Sequence, residues 1–225
     1  MSTSEAAVDL TPSEQALLFA DQFAPKGSVM KGKEPLLLGE GTVAVNPLAE
    51  TLLSVALLAL EKAGAVRLEH TTRKVLFGLM KSRAVDVQPT GKASGFPAGT
   101  LEARIERRLS GQPSHAVDVV YRFFDADMKW PHQFVLDVAK AGLGDRGLVT
   151  LEETKKMLVF TTVKATVTPE RRAALQAVGS SAARALIQGA EGRGELWKTL
   201  QAQVTSGIAR RTEAQDSGSN DFGSD

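Results

Sequence analysis

The chain has 225 residues, 43% of them apolar and 24% charged, a balance that supports one or two packed domains and excludes an intrinsically disordered protein. Cysteine is absent, which removes disulfide scaffolds, thiolate zinc sites and thiol catalysis, and three histidines (His70, His115, His132) leave little for an imidazole-built metal centre. The net charge is +1 but unevenly spread. Glu5 and Asp9 make the first ten residues acidic, and Glu213, Asp216, Asp221 and Asp225 make 212–225 acidic, so the body between them carries +7. Such a body suits contact with an anionic surface, and equally suits ordinary colloidal solubility.

In chain order, Thr11-Pro12-Ser13-Glu14 opens the first helix with a capping box and a proline at the first helical position. It carries Leu17, Leu18 and Phe19 and stops before Pro25-Lys26-Gly27. A loop follows, with extended pieces at 36–38 and 42–45. Asn46-Pro47 is expected to open the second helix, which is apolar nearly all round from Leu48 to Leu60 and is therefore placed at the centre of the core, ending at Gly64. Short strands are expected at 66–69, 73–80 and 84–87, then helices at 101–109, 116–124 and from Trp130-Pro131 to Gly142 or Gly147. Residues 151–156 are read as one helical turn, and 157–162 with 164–168 as a second hairpin rich in Thr and Val. Helices over 169–186 and 196–208 complete the body. The expected fold is mainly α: a single globular helical domain, residues 11–211, around a central apolar helix with two or three short β-hairpins. Residues 1–10 are read as a flexible N-terminus and 212–225 as a disordered acidic tail.

The polar start of the chain lacks the pattern of a secretory signal, and the longest apolar run, around Leu52–Leu60, is too short to span a bilayer, so a cytoplasmic protein is expected. Enzyme signatures fail in turn. Asp125-Ala126-Asp127 near His132 lacks the further oxygens of a calcium loop, no phosphate-binding glycine loop precedes a helix, and no nucleophile elbow occurs. Glu61 and Glu69 form a carboxylate pair by spacing alone. No catalytic residue, metal or cofactor is assigned. Lys62, Arg67, Arg73, Lys74, Lys81 and Arg83 decorate a helix–hairpin unit like a winged helix, but the helix is too apolar to enter a DNA groove, and nucleic acid is not expected as a partner. The second hairpin offers Met157, Leu158, Val159, Phe160 and Val163 flanked by Lys155, Lys156 and Lys164. That stretch reads either as sheet core or as an apolar tip that dips into a membrane interface while lysines meet anionic head groups.

The order of these segments resembles the Golgi phosphoprotein 3 family: Leu-Thr before the Glu14–Leu18 helix, the apolar helix running into Leu60-Glu61-Lys62-Ala63-Gly64, then Trp130-Pro131, Gly147-Leu148-Val149, and the hairpin through Thr168-Pro169-Glu170-Arg171. The likeness spans about residues 10–180 and is to a prokaryotic-type member. It implies a helical fold around a central hydrophobic helix, no catalysis, peripheral binding to an anionic phosphoinositide head group, an adaptor role toward a protein partner, and a hydrophobic hairpin linked to membrane insertion and self-association. The family's head-group pocket uses a Trp and an Arg ahead of and within the central helix and two Arg on the helix before the second hairpin. Residues 39–60 here hold neither Trp nor Arg, and 132–147 offer only Lys140 and Arg146. The expectation is therefore attraction to generic anionic phospholipid through Lys140, Arg146, Lys155, Lys156 and Lys164, with Met157, Leu158, Val159, Phe160 and Val163 inserting or self-associating. The alternative is a soluble protein-interaction module of a regulatory system without lipid binding.

Overall fold

Apolar side chains from most elements join one buried cluster in the computed structural model, which describes residues 8–28, 32–75, 80–126, 128–156 and 160–218. The architecture is mainly α with small antiparallel sheets. Helix α1 (Pro12–Leu18) begins as its sequence dictates: the Thr11 hydroxyl accepts from the Glu14 amide and the Glu14 carboxylate accepts from the Thr11 amide. A two-residue pair, β1 (Glu34–Pro35) and β2 (Thr42–Val43), leads into α2 (Val45–Lys62). The start of α2 differs from the expected one. Ala44 is the N-cap residue, and Asn46-Pro47 lies inside the first turn, where a missing N–H leaves no helical bond unmade. The face from Leu48 to Leu60 is buried and packs against α1, against the β-sheet, and against four later helices. Gly64, at φ +79°, closes α2: its N–H reaches the Glu61 carbonyl while Ala65 N–H reaches that of Leu60, a left-handed termination that only glycine adopts freely.

Strands β3 (Val66–Val75) and β4 (Met80–Pro89) form one ten-rung hairpin, where three short strands were expected. The β-branched Thr71 and Thr72, read as a break, pair with Ala84 and Arg83 inside the ladder. Val66, Leu68, Val85 and Val87 form its buried face. Helix α3 (Leu101–Arg107) is capped by Thr100, and β5 (Ser114–His115) adds to the β4 edge at Asp86 and Val87 before α4 (Ala116–Phe123). Helix α5 (Pro131–Asp145) follows. Then comes the second hairpin, β6 (Thr150–Lys156) and β7 (Phe160–Thr166), in a register running from Thr150↔Thr166 to Lys156↔Phe160. The helical turn expected at 151–156 is thus a strand. Glu-Glu-Thr-Lys-Lys has fair helix propensity, but pairing with β7 overrides it.

The expected 169–186 helix is two, α6 (Pro169–Val178) and α7 (Ser181–Glu191), separated by Gly179 at φ +69°. Helix α8 (Leu196–Gly218) buries Leu196, Leu200, Val204 and Ile208 at four-residue spacing. It runs past Thr212, where the disordered tail was expected to begin; Glu213 and Asp216 are therefore helical, and 219–225 lie outside the described residues. Among the described residues no helix is long and apolar enough to cross a membrane. Helices α4 and α8 touch at Gly207, where an added Cβ would stand 2.8 Å from the Val117 carbonyl oxygen and 2.8 Å from Val120 Cβ. Gly207→Ala should therefore destabilise by about 1–3 kcal/mol, although helix propensity alone favours alanine by about 1 kcal/mol. A urea midpoint for Gly207→Ala at or above the parent value would contradict this packing.

Candidate functional site: the second hairpin and its base

The β6–β7 hairpin is fixed at its base and carries its basic residues toward its far end. Leu148, Val149 and Val167 bury the two entry points, and both strands pack on α5. Gly144 makes room for this contact, since an added Cβ would meet Leu151 Cγ at 2.6 Å. The ladder alternates faces, so near the base Glu152–Lys164 lie on one face, while Leu151–Ala165 and Glu153–Val163 share the other. Leu151 and Ala165 pack against the core, which assigns the second face to the body. Lys164 is exposed. Lys155, Lys156 and Phe160 occupy the last rungs, and Met157, Leu158 and Val159, which link the strands in sequence, lie outside the described residues. Val163, expected at the tip, instead sits mid-strand and half-buried, with its carbonyl bonded inward.

Two expected lipid-contact residues are held by internal partners, Lys140 buried and Arg146 partly exposed. Lys140 is only 2% exposed. Its ammonium lies 2.7 Å from Glu34 Oε1 and 3.8 Å from Asp137 Oδ1, and donates to the Val163 carbonyl at 3.0 Å. Three elements, β1, α5 and β7, meet on this one nitrogen. Lys140 therefore cannot face a bilayer; it pins the hairpin to the body. Arg146 is likewise committed, pairing with the fully buried Glu14 carboxylate and donating to the Asp9 carbonyl at 2.8 Å and the Gly142 carbonyl at 3.2 Å. It ties the end of α5 to the start of α1.

The acids around these elements carry a pH signature. Burial pushes the Glu34 carboxyl above its ordinary value of 4.5, and Lys140 opposes that shift only in part. Burial also raises Asp137, and it raises Glu102, which accepts from the Ser13 amide and hydroxyl at 2.9 Å each and so caps α1 from α3. A carboxyl whose folded value is raised binds protons more tightly folded than unfolded. Its contribution is fully present below the unfolded value and is lost as pH rises through the folded one. Unfolding midpoints in urea should thus rise as pH falls from neutral toward 4.5, and Glu102→Gln should flatten the slope. A steady fall across that window would contradict the assignment. Glu170, fully exposed in the first turn of α6, shifts the other way.

Several of the remaining candidates are accounted for by internal pairs, and Asp127 lies outside the described residues. Asp125 binds Arg104 and Arg108, and His132 Nε2 lies 3.5 Å from Glu50. Glu61 takes Arg193 and the Leu68 amide, while Glu69 takes Arg67 and Gln88. Among the described residues no group of three or more acids or histidines could hold a metal ion. Sequence reasoning missed Glu34 and Asp137 as the partners of Lys140; the Asp137–Lys140 spacing was a legible i,i+3 signal, but Glu34 reaches the site only through the tertiary fold. The chain matches no protein-family model, and comparison with curated proteins and with solved structures returns no match.

Proposed function

We propose that the chain is a non-enzymatic, peripheral-membrane adaptor of the Golgi phosphoprotein 3 type, built around the apolar helix α2. In this reading the β6–β7 hairpin contacts the anionic phospholipid surface of the cytoplasmic leaflet, and another face holds a protein partner. The observation that carries it is the register: Lys155 and Lys156 end β6, Phe160 begins β7, and the apolar Met157-Leu158-Val159 lies between them in sequence, on a hairpin held to the body at its base and at Val163. A basic collar around an apolar end suits an interface where the collar meets head groups and the apolar residues enter the acyl boundary. With Lys140 and Arg146 committed internally, Lys155, Lys156 and Lys164 remain, giving roughly 3 kcal/mol of attraction at about 1 kcal/mol per base. That is weak and sensitive to salt, so the apolar residues must add to it. Phe160→Asp is the test. Vesicle pelleting should fall to the level of neutral lipid while the circular dichroism spectrum stays unchanged, and undiminished pelleting would remove the hairpin from the contact.

A soluble protein-interaction module is the second reading, and the internal use of Lys140 and Arg146 favours it, because Glu152 and Glu153 offset much of the remaining hairpin charge. Under this reading the same hairpin self-associates or docks on a protein, and the chain never sediments with vesicles.

A further inference from the structure

A second feature lies apart from the β6–β7 sheet, on β4, β5 and α4. An open cavity of about 560 Å³ is lined by Asp86, Pro113, Ser114, His115, Asp118, Tyr121 and Arg122. Its acids are occupied: Asp118 pairs with Arg210 at 2.8 Å, and Asp86 Oδ1 faces His115 Nδ1, both atoms shut from solvent. Its guanidinium is not. Arg122 donates from Nε to the Asp118 carbonyl at 3.1 Å and from Nη2 to the Ser114 hydroxyl at 2.7 Å, and forms no ion pair among the described residues. Nearby Arg210 and Arg211 both lie over the Tyr121 ring, and with Arg210 neutralised by Asp118 the added positive charge behind that wall is that of Arg211. His115, the cap residue of α4, lines the same wall and makes no side-chain cap bond. A held guanidinium without a carboxylate and a hydroxyl bonded to it, both lining one open cavity, make the chemistry of oxyanion capture.

We propose that this cavity binds a phosphate-class oxyanion, with Arg122 as its charge partner and Ser114 as a hydroxyl ligand. The cavity is larger than one phosphate, so the anion belongs to a phosphorylated organic group. That group is either a lipid head group or a soluble phosphomonoester, and the site stands whether or not the hairpin meets a membrane.

The test follows the His115 imidazole by NMR in the full chain, with His70 and His132 as internal controls. The titrants are inorganic phosphate, glycerol 3-phosphate, sodium chloride at matched ionic strength, and vesicles of phosphatidylcholine with or without phosphatidylglycerol. A saturable shift of His115 with the phosphates but not with chloride is expected, weakened by at least about tenfold in Arg122→Gln and less in Arg122→Lys, which keeps charge but not the planar fork. Ser114→Ala, which removes only a hydroxyl, should also weaken it and guards against a folding defect in the arginine variants. Phosphatidylglycerol vesicles reproducing the shift would assign the lipid source; soluble phosphates acting alone would assign the solute. No saturable shift with any phosphate or vesicle, or one unchanged in all three variants, overturns the site.

Discussion

Lys140→Ala is expected to cost about 3–5 kcal/mol of folding stability, the penalty for stripping one partner from a buried ion pair. The reason is specific to this nitrogen. Glu34 would lose its ammonium while remaining buried, and the Val163 carbonyl would lose its donor, so β1 and β7 would both come loose from α5. Because burial already raises the Glu34 carboxyl, protonation offers relief, and the deficit should shrink as pH falls toward 4.5. Urea unfolding of parent and variant at neutral and mildly acidic pH measures both effects. A lipid-contact role would give the opposite pattern: an unchanged midpoint at both pH values and weaker binding to anionic vesicles.

Arg146→Ala should be nearly as damaging, about 3 kcal/mol, for a related reason. Glu14 is fully buried and keeps only its capping-box bond to the Thr11 amide once Arg146 is gone. The Asp9 and Gly142 carbonyls also lose a donor, which frees the chain before α1. Arg146→Lys keeps the charge but cannot serve three acceptors with one planar fork, so it should recover less than half of the loss. Thermal unfolding of the three proteins decides this. Equal melting temperatures would mean that the pairing contributes nothing.

Local grammar was legible wherever one segment decides its own structure. Thr11-Pro12-Ser13-Glu14 predicts its capping box, and Gly64 its left-handed stop. The all-round apolar run of α2 predicts a helix buried from Leu48 to Leu60. Errors fall where a distant partner decides. Nothing in Leu151–Lys156 announces that β7 will pair with it, and nothing near Thr71 announces that Ala84 will continue the ladder. The same limit governs the site. Lys140 and Arg146 read as surface bases because lysine and arginine usually are, and the acids that bury them, Glu34 and Glu14, lie more than a hundred residues away. The cavity beside Arg122 was invisible for the same reason: His115 meets Asp86 only because β5 joins the β4 edge.

Those internal pairs sharpen the functional reading. Removing Lys140 and Arg146 from the basic set leaves the proposed contact dependent on three lysines and a short apolar stretch. Such a contact should be electrostatic at long range and apolar at short range. Lys164, exposed and opposite Glu152, is an accessible position for charge reversal.

Co-sedimentation of the purified chain with vesicles tests the central claim most directly. Neutral phosphatidylcholine is compared with phosphatidylcholine carrying phosphatidylglycerol, each at low and moderate salt. The peripheral-membrane account predicts pelleting with the anionic vesicles alone, strong at low salt and reduced at moderate salt. Absence of pelleting under all four conditions would contradict it and leave the hairpin as a docking element for protein.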